Sequence, residues 1–436
     1  MRHHQQPLCL DSSSAAFLSD PYAAYGVWRE AGPIHWSSAF YGGAWVITRH
    51  ADVDRVLRDD GGFSARRTGA WVSGVEQERG ELRSFHSLLA RAMLFVDAPD
   101  HTRLRRVLNV GFRPARLEAL RPVIEASVQA RLDTVDAQTG FDFISEVAAP
   151  VPAQVIGEMM GLPSGRQSDF QTWSQDLAGF IGALGPNTEL ARRAQRSLLE
   201  MTGFFMDHLR DRGDEPRDDL VGLLLEAEQV GQVKEGAELL AQCAMLLFAG
   251  YETTRNLLGN GLLALLRHRS EWRLLQEDPS RASDAVRELL RFDSPVQYTA
   301  RRVVRDQVLH DVPLRRGDCV IALIGSANRD PRCYSNPDEL NIARRPPGLL
   351  SFGRGAHACL GAALTQMEAE VVFREVAKRW PTLRLMDDHP QWNGNTAYRG
   401  LHQLRVQQAQ VRSRTGSVGD STPGQRALRT DKVLAS

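Results

Sequence analysis

Cys359 lies in the stretch FGRGAHACLG, residues 352–361, and its neighbours are those that would hold a sulfur against a metal. Gly353, Gly355 and Gly361 carry no side chain where backbone has to wrap closely, and glycine tolerates positive φ freely. The apolar residues that follow (Ala362, Ala363, Leu364, Met367, Val371 and Val372) have helical spacing. The sulfur would then sit beside the free N–H groups and the positive end of a helix, and both favour thiolate over thiol. A cysteine at a helix start is more often an ordinary core residue. Three further groupings along the chain weigh against that plainer reading here.

Residues 237–267 form the longest apolar-periodic stretch, interrupted at Ala249-Gly250-Tyr251-Glu252-Thr253-Thr254 by a glycine, an acid and two hydroxyls, poor choices inside a helix. The Thr253 hydroxyl can bond back to the carbonyl of Ala249 and bend the helix, and a bare Gly250 would let that bend open a groove for a small molecule. His101 and Arg105 stand four apart on a helix that Pro99 would start, so they share a face and suit a carboxylate. Glu288 and Arg291, three apart, can pair on another helix.

Phe352, Gly353, Gly355, His357, Cys359 and Gly361 fall into the pattern F-G-x-G-x-H-x-C-x-G, which composition alone would produce on the order of a few times per million chains of this length. This pattern resembles the proximal haem loop of the cytochromes P-450, of the soluble bacterial type. The resemblance runs from about Asp20 to about Val406. It implies a mainly α fold, one large helical domain with a small β-rich region, and haem b buried between the central long helix and the cysteine loop. By the same resemblance, Cys359 is the axial iron ligand, Phe352 lies beside the cofactor, and His101, Arg105, Arg301 and His357 hold its propionates. Glu252 and Thr253 match the acid and alcohol that deliver protons to bound dioxygen, while thiolate electron density assists from the other side. Glu288 and Arg291 match a buried structural pair behind the haem. Two departures stand out. Pro337-Asp338-Glu339-Leu340 lacks the basic residue that often completes that pair, and Thr365-Gln366 replaces a common Ala-Arg that faces the redox partner.

The resemblance also implies a substrate pocket lined by Trp71 and Val72 in a roof loop, Met93 and Leu94, Ala249, Val296, Tyr298 and Thr299, with Thr396 and Tyr398 from a late turn. Most of that wall is apolar, pointing to a hydrophobic small molecule with a few polar anchors, such as a polyketide, macrolide, peptide or terpenoid intermediate. The implied activity is a monooxygenase that hydroxylates or epoxidises it. One atom of O2 enters the substrate and the other leaves as water, with two electrons from NAD(P)H through ferredoxin reductase and ferredoxin. Peroxygenase, nitration or oxidative-coupling chemistry is the alternative, as is a non-catalytic haem protein that binds a ligand. Peroxide-driven relatives typically lack the acid–alcohol pair, and a ligand-binding protein would not need it.

Composition bounds the partners. The 436 residues carry 53 basic and 53 acidic side chains, which argues against nucleic acid or an anionic membrane as a bulk partner. Arg106, Arg113 and Arg354 would still give a local cationic patch for an acidic ferredoxin. Five cysteines (Cys9, Cys243, Cys319, Cys333 and Cys359) form no C-x-x-C pair, which argues against a disulfide framework or structural zinc. No apolar run is long enough for a signal peptide or membrane anchor, so a cytoplasmic monomer is expected. A strand at 44–48 and a helix at 51–58 predict a β subdomain near the N-terminus. Residues 61–95 show no sustained period. The expected organisation is a flexible extension over 1–14, a single catalytic domain over 15–407 and a disordered tail over 408–436.

Overall fold

The structure is a computed structural model that describes residues 14–68, 82–185, 187–213, 217–234 and 236–409. Its axis is the helix Ala237–Arg267, whose residues are apolar on almost every face and buried on almost every face. A helix of that kind needs neighbours all round. Helices Pro150–Met159, Gln167–Ile181, Thr188–Arg212, Ala282–Phe292 and Ala362–Arg379 pack against it and supply them. Small residues set the closest approaches: a Cβ at Gly261 would meet the Phe373 ring at 2.6 Å, and one at Gly250 would meet Ile156 at 2.9 Å. Gly250 therefore lets the Pro150–Met159 helix come near. The space expected beside the Thr253–Ala249 bond lies instead on the Ala249 and Thr253 side of the helix, away from Gly250.

Ten short strands lie among the described residues: β1 Ile34–Ser37, β2 Ala44–Ile47, β3 Phe63–Ser64, β4 Phe141–Asp142, β5 Thr299–Val303, β6 Gln307–Leu309, β7 Val312–Leu314, β8 Cys319–Ala322, β9 Leu383–Leu385 and β10 Arg405–Gln408. The largest sheet runs β1-β2-β8-β5-β3, with β2 and β8 parallel and the other pairs antiparallel. Two of its five strands thus come from residues 299–322, which corrects the expectation of a β region confined to the N-terminal part. A second apolar cluster, including Ile47, Val53, Leu57, Val320 and Leu350, packs this sheet against the helix His50–Arg58.

The expected helices at 51–58 and after Pro99 appear as His50–Arg58 and Asp100–Leu108. Strand β10 runs through Gln408, which pairs with Leu383, one residue beyond the expected end of the catalytic domain. Trp71 and Val72 lie outside the described residues. An isolated bridge between Val296 and Tyr398 brings the late turn against the segment that follows Ser294-Pro295.

Candidate functional site

The loop around Cys359 is built as glycine requires. Gly353 and Gly355 adopt φ of 67° and 70°, and a Cβ at Gly355 would stand 2.8 Å from the Leu57 carbonyl oxygen. Cys359 N–H donates to the Phe352 carbonyl at 2.7 Å, closing the loop, and Gly361 caps the helix Ala362–Arg379. The sulfur is surrounded by protein, and the surface it exposes is the wall of an internal cavity. Burial pushes the thiol up, against the opposing pull of the Gly361 N–H and the Arg105 guanidinium. The N–H groups at the helix start thus favour thiolate, as expected, and coordination to a metal removes the proton that burial would otherwise retain.

Beside the loop, four side chains from three separate segments converge. The rings of His101 and His357 lie 4.0 Å apart, centroid to centroid. Arg105 donates to the Ala358 carbonyl at 2.6 Å, tying the Asp100–Leu108 helix to the residue before the cysteine. Arg301 on β5 is buried and donates to the Ala300 carbonyl at 3.0 Å and the Thr299 hydroxyl at 3.4 Å. None of the four makes an ion pair among the described residues, and His101 Nε2 is buried without a hydrogen-bond partner. Burial and the positive charge of His101, Arg301, Arg67 and Arg105 push His357 down to about 2, while burial and Arg67 push Arg301 down to about 9. A buried set of like-signed donors with no acid among them is relieved by an anion, and two carboxylates are a natural complement.

Glu288 and Arg291 are both 0% exposed and form two parallel bonds of 2.8 Å, Arg291 Nε to Oε2 and Nη2 to Oε1. The third partner that the sequence left open is Arg344, whose Nε donates to Glu288 Oε1 at 3.1 Å beside the Asn341 N–H. Arg291 spends its remaining donors on the carbonyls of Asn328, Pro337 and Glu339, so the departure at 337–340 is bridged through backbone.

On the central helix the Thr253 hydroxyl does bond back to the Ala249 carbonyl, at 3.1 Å. Thr253, Ala249, Phe352 and Cys359 line one cavity of about 200 Å³. Glu252 does not line it. Glu252 is 2% exposed, accepts from Asn256 Nδ2 at 3.1 Å, and leaves Oε2 without a hydrogen-bond partner. It lines a second, more polar cavity of about 700 Å³ together with Arg255, Asn395 and His402. Consecutive helical residues point about 100° apart, so the acid and the alcohol serve two separate spaces. Burial raises the Glu252 carboxyl above its ordinary value, opposed by Arg255 and the Asn256 bond.

Of the expected pocket residues, Leu94, Val296, Tyr298, Thr299 and Tyr398 also line the first cavity. Met93 does not, because its turn, Met93–Phe95, is fastened by the Met93 N–H to Gln242 Oε1 at 2.9 Å. Thr396 lies on the second cavity and bonds the Tyr298 hydroxyl at 3.1 Å. Tyr41, Arg67, Ile181 and Phe248 line the first cavity and were not anticipated. Phe248 was within reach as the neighbour of Ala249, whereas Tyr41 and Arg67 sit in irregular segments that carry no periodic signal.

A family model for cytochrome P-450 matches residues 28–390. The chain belongs to the cytochrome P-450 family. It is 36% identical over 400 residues to the polyketide biosynthesis cytochrome P-450 PksS of Bacillus subtilis (strain 168), covering 89% of this chain and 96% of that protein. Among solved structures, P-450BioI in complex with hexadec-9Z-enoic acid ligated acyl carrier protein superposes with a TM-score of 0.84 at 31% identity, over 90% of this chain and 100% of that one. The tirandamycin C-bound P-450 monooxygenase TamI superposes with a TM-score of 0.81 at 32% identity, over 91% of this chain and 99% of that one, and the architecture is mainly α with small sheets. The P-450 is therefore an oxygen-incorporating oxidoreductase whose family carries haem with a cysteine thiolate as axial ligand. The acid-free cluster of His101, Arg105, Arg301 and His357 beside the glycine-shaped cysteine loop fits that group. Among the described residues no helix is long and apolar enough to cross a membrane.

Proposed function

We propose that this monooxygenase oxidises a largely hydrophobic small molecule of secondary metabolism in the 200 Å³ cavity between the central helix and the cysteine loop. One observation carries the reading: Cys359 and Thr253, from segments more than a hundred residues apart, line the same cavity. Cys359 would hold the haem iron, His101, Arg105, Arg301 and His357 its propionates, and Phe352 would lie along its edge. When bound, the haem supplies the iron at which dioxygen is activated for transfer of one oxygen atom. The Thr253 hydroxyl, anchored on the Ala249 carbonyl, presents its oxygen to the reacting space and passes a proton there. The Glu252 carboxyl, whose hold on a proton burial strengthens, takes protons from the second cavity and resupplies the Thr253 side of the helix. Leu94, Ile181, Phe248 and Val296 present an apolar wall that excludes water and orients the substrate by shape.

PksS is named for polyketide biosynthesis and TamI binds tirandamycin C, which supports a polyketide-like substrate here. Electrons would arrive from NAD(P)H through a reductase and an acidic ferredoxin docked on the cleft formed by Arg105, Arg106 and Arg113. The reduced, carbon-monoxide-bound spectrum of the purified protein beside a Cys359→Ala variant tests the centre of this reading. A strongly red-shifted Soret band, lost in the variant, is expected. A histidine-like carbonyl spectrum in the wild type would overturn it.

A further inference from the structure

The titratable side chains that line the second cavity, among the described residues, are Asp176, Arg193, Glu252, Arg255 and His402. Three of them are committed elsewhere. Asp176 accepts from Arg193 Nη2 at 2.5 Å and from the Ser197 hydroxyl at 2.7 Å. Arg255, 3% exposed, gives Nη1 to Asn256 Oδ1 and Nη2 to the Leu401 carbonyl, both at 2.9 Å. That leaves Glu252, whose Oε2 has no hydrogen-bond partner, and His402, whose imidazole makes no hydrogen bond or ion pair among the described residues. Glu252 is 2% exposed and His402 is exposed, so one polar space of about 700 Å³ joins a buried carboxyl to an imidazole at the surface. A polar space of that size has room for water.

The segment that carries His402 is fastened to the central helix within two turns of Glu252. Asn260 Nδ2 donates to the Arg399 carbonyl at 3.0 Å, Arg255 to that of Leu401, and Asn256 Nδ2 to Glu252 Oε1 at 3.1 Å. Gly400 permits the approach, since a Cβ there would stand 2.0 Å from Asn256 Oδ1. From the other side, the His402 N–H donates to the Gln391 carbonyl at 2.8 Å. A continuous run of hydrogen bonds through Asn256, Arg255 and Leu401 thus fixes the residue before His402 relative to the Glu252 carboxyl. These bonds set position and do not conduct, because a guanidinium keeps its protons.

We propose that His402 is the residue through which protons enter the second cavity from solvent, passing through water to Glu252. The inference rests on the proton relay proposed above and extends it to the surface. The imidazolium gives a proton to cavity water, which passes one on to the Glu252 carboxylate. The neutral imidazole left behind takes a proton from bulk water, and no electron moves. Histidine suits this place because it is the side chain whose charge changes near neutral pH, whereas the two arginines keep their protons and Asp176 is held in its pair.

The test follows NADPH oxidation by the haem-loaded protein at neutral pH, with a saturating ferredoxin and reductase and dodecan-1-ol as the probe ligand. Reduction of O2 to water or to hydrogen peroxide consumes protons, so this rate reads their supply. His402→Gln is expected to slow it about tenfold, less than the roughly hundredfold worth of a directly positioned acid, and to raise its solvent deuterium isotope effect. The carbonyl spectrum, the spin-state shift with dodecan-1-ol and the rate of the first electron transfer from ferredoxin should stay unchanged. Glu252→Gln should slow the oxidation further, and the double variant should be no slower than Glu252→Gln alone, because residues acting in series share one loss. A His402→Gln rate and isotope effect equal to those of the wild type overturn the proposal, as do losses that multiply in the double variant. A changed carbonyl spectrum or first-electron rate also overturns it, because His402 would then act through structure. Failure of the relay itself is seen separately: Glu252→Gln would oxidise NADPH at the wild-type rate, and both readings would fall.

Discussion

Glu252 and Thr253 are adjacent in sequence and face different cavities, so a proton passing from one to the other crosses the wall of the central helix. Glu252→Gln keeps the shape and can keep the Asn256 bond, but it removes the exchangeable acid. We expect product formed per NADPH consumed to fall by on the order of a hundredfold or more, the usual worth of a positioned acid, with the carbonyl spectrum retained. Coupled turnover at the wild-type rate, measured as product against NADPH, would remove Glu252 from the relay. A second buried acid tests the energetics rather than the chemistry. Glu368 on the helix Ala362–Arg379 is 2% exposed, leaves Oε2 without a partner, and is pushed up to about 8 by burial. A raised folded value means that the native state holds the proton where the unfolded chain has released it. Its contribution is therefore full below the unfolded value of about 4.3 and is lost as pH rises toward 8. Glu368→Gln should raise the thermal midpoint at pH 8 and leave it almost unchanged near pH 4. An equal shift at both pH values in a melting series would show that the carboxyl is not the cause.

At the scale of elements, the central helix owes its place to what it lacks. A Cβ at Gly250 would stand 2.9 Å from Ile156 Cδ1, the movable end of a side chain, so Ala is tolerated there while a branched residue is not. Gly250→Val is expected to cost about 1 to 3 kcal/mol by overpacking, read from the urea midpoint, against nearly none for Gly250→Ala, whose better helix propensity offsets the crowding. The same helix shows what the sequence could and could not convey. Its extent, 237–267, follows from apolar spacing and agrees with Ala237–Arg267, because periodicity is a local property of the chain. The cysteine loop was legible for a similar reason, since its glycines report backbone geometry directly. Which cavity Glu252 faces, and that Gly250 meets Ile156, depend on helices packed from elsewhere. Arg344 reaches Glu288 from 56 residues away, a spacing that appears in no local window. The partition of the β sheet between residues 34–64 and 299–322 was hidden likewise, because pairing of distant strands leaves no mark on either one alone.

For the molecule as a whole, a formal net charge of zero conceals an uneven surface. Arg106 and Arg113 are exposed on one cleft with Arg105 and make no ion pair among the described residues. Arg354, expected to join them, instead faces Asp54 at 3.5 Å and contributes less free charge. Because Arg105 donates to the Ala358 carbonyl, this cleft is mechanically joined to the residue before Cys359, and a partner seated on it would lie on the cysteine side of the protein. Attraction between an acidic ferredoxin and exposed arginines acts over a Debye length of about 10 Å at 0.1 M salt and about 3 Å at 1 M. Stopped-flow reduction by such a ferredoxin should therefore slow about tenfold or more between low and high salt, chiefly through the association rate. The double substitution Arg106→Glu with Arg113→Glu should slow the low-salt rate and flatten its salt dependence, while leaving the carbonyl spectrum intact. A salt-independent rate in the wild type, or an unaltered salt slope in the double variant, would place the electron donor on another face.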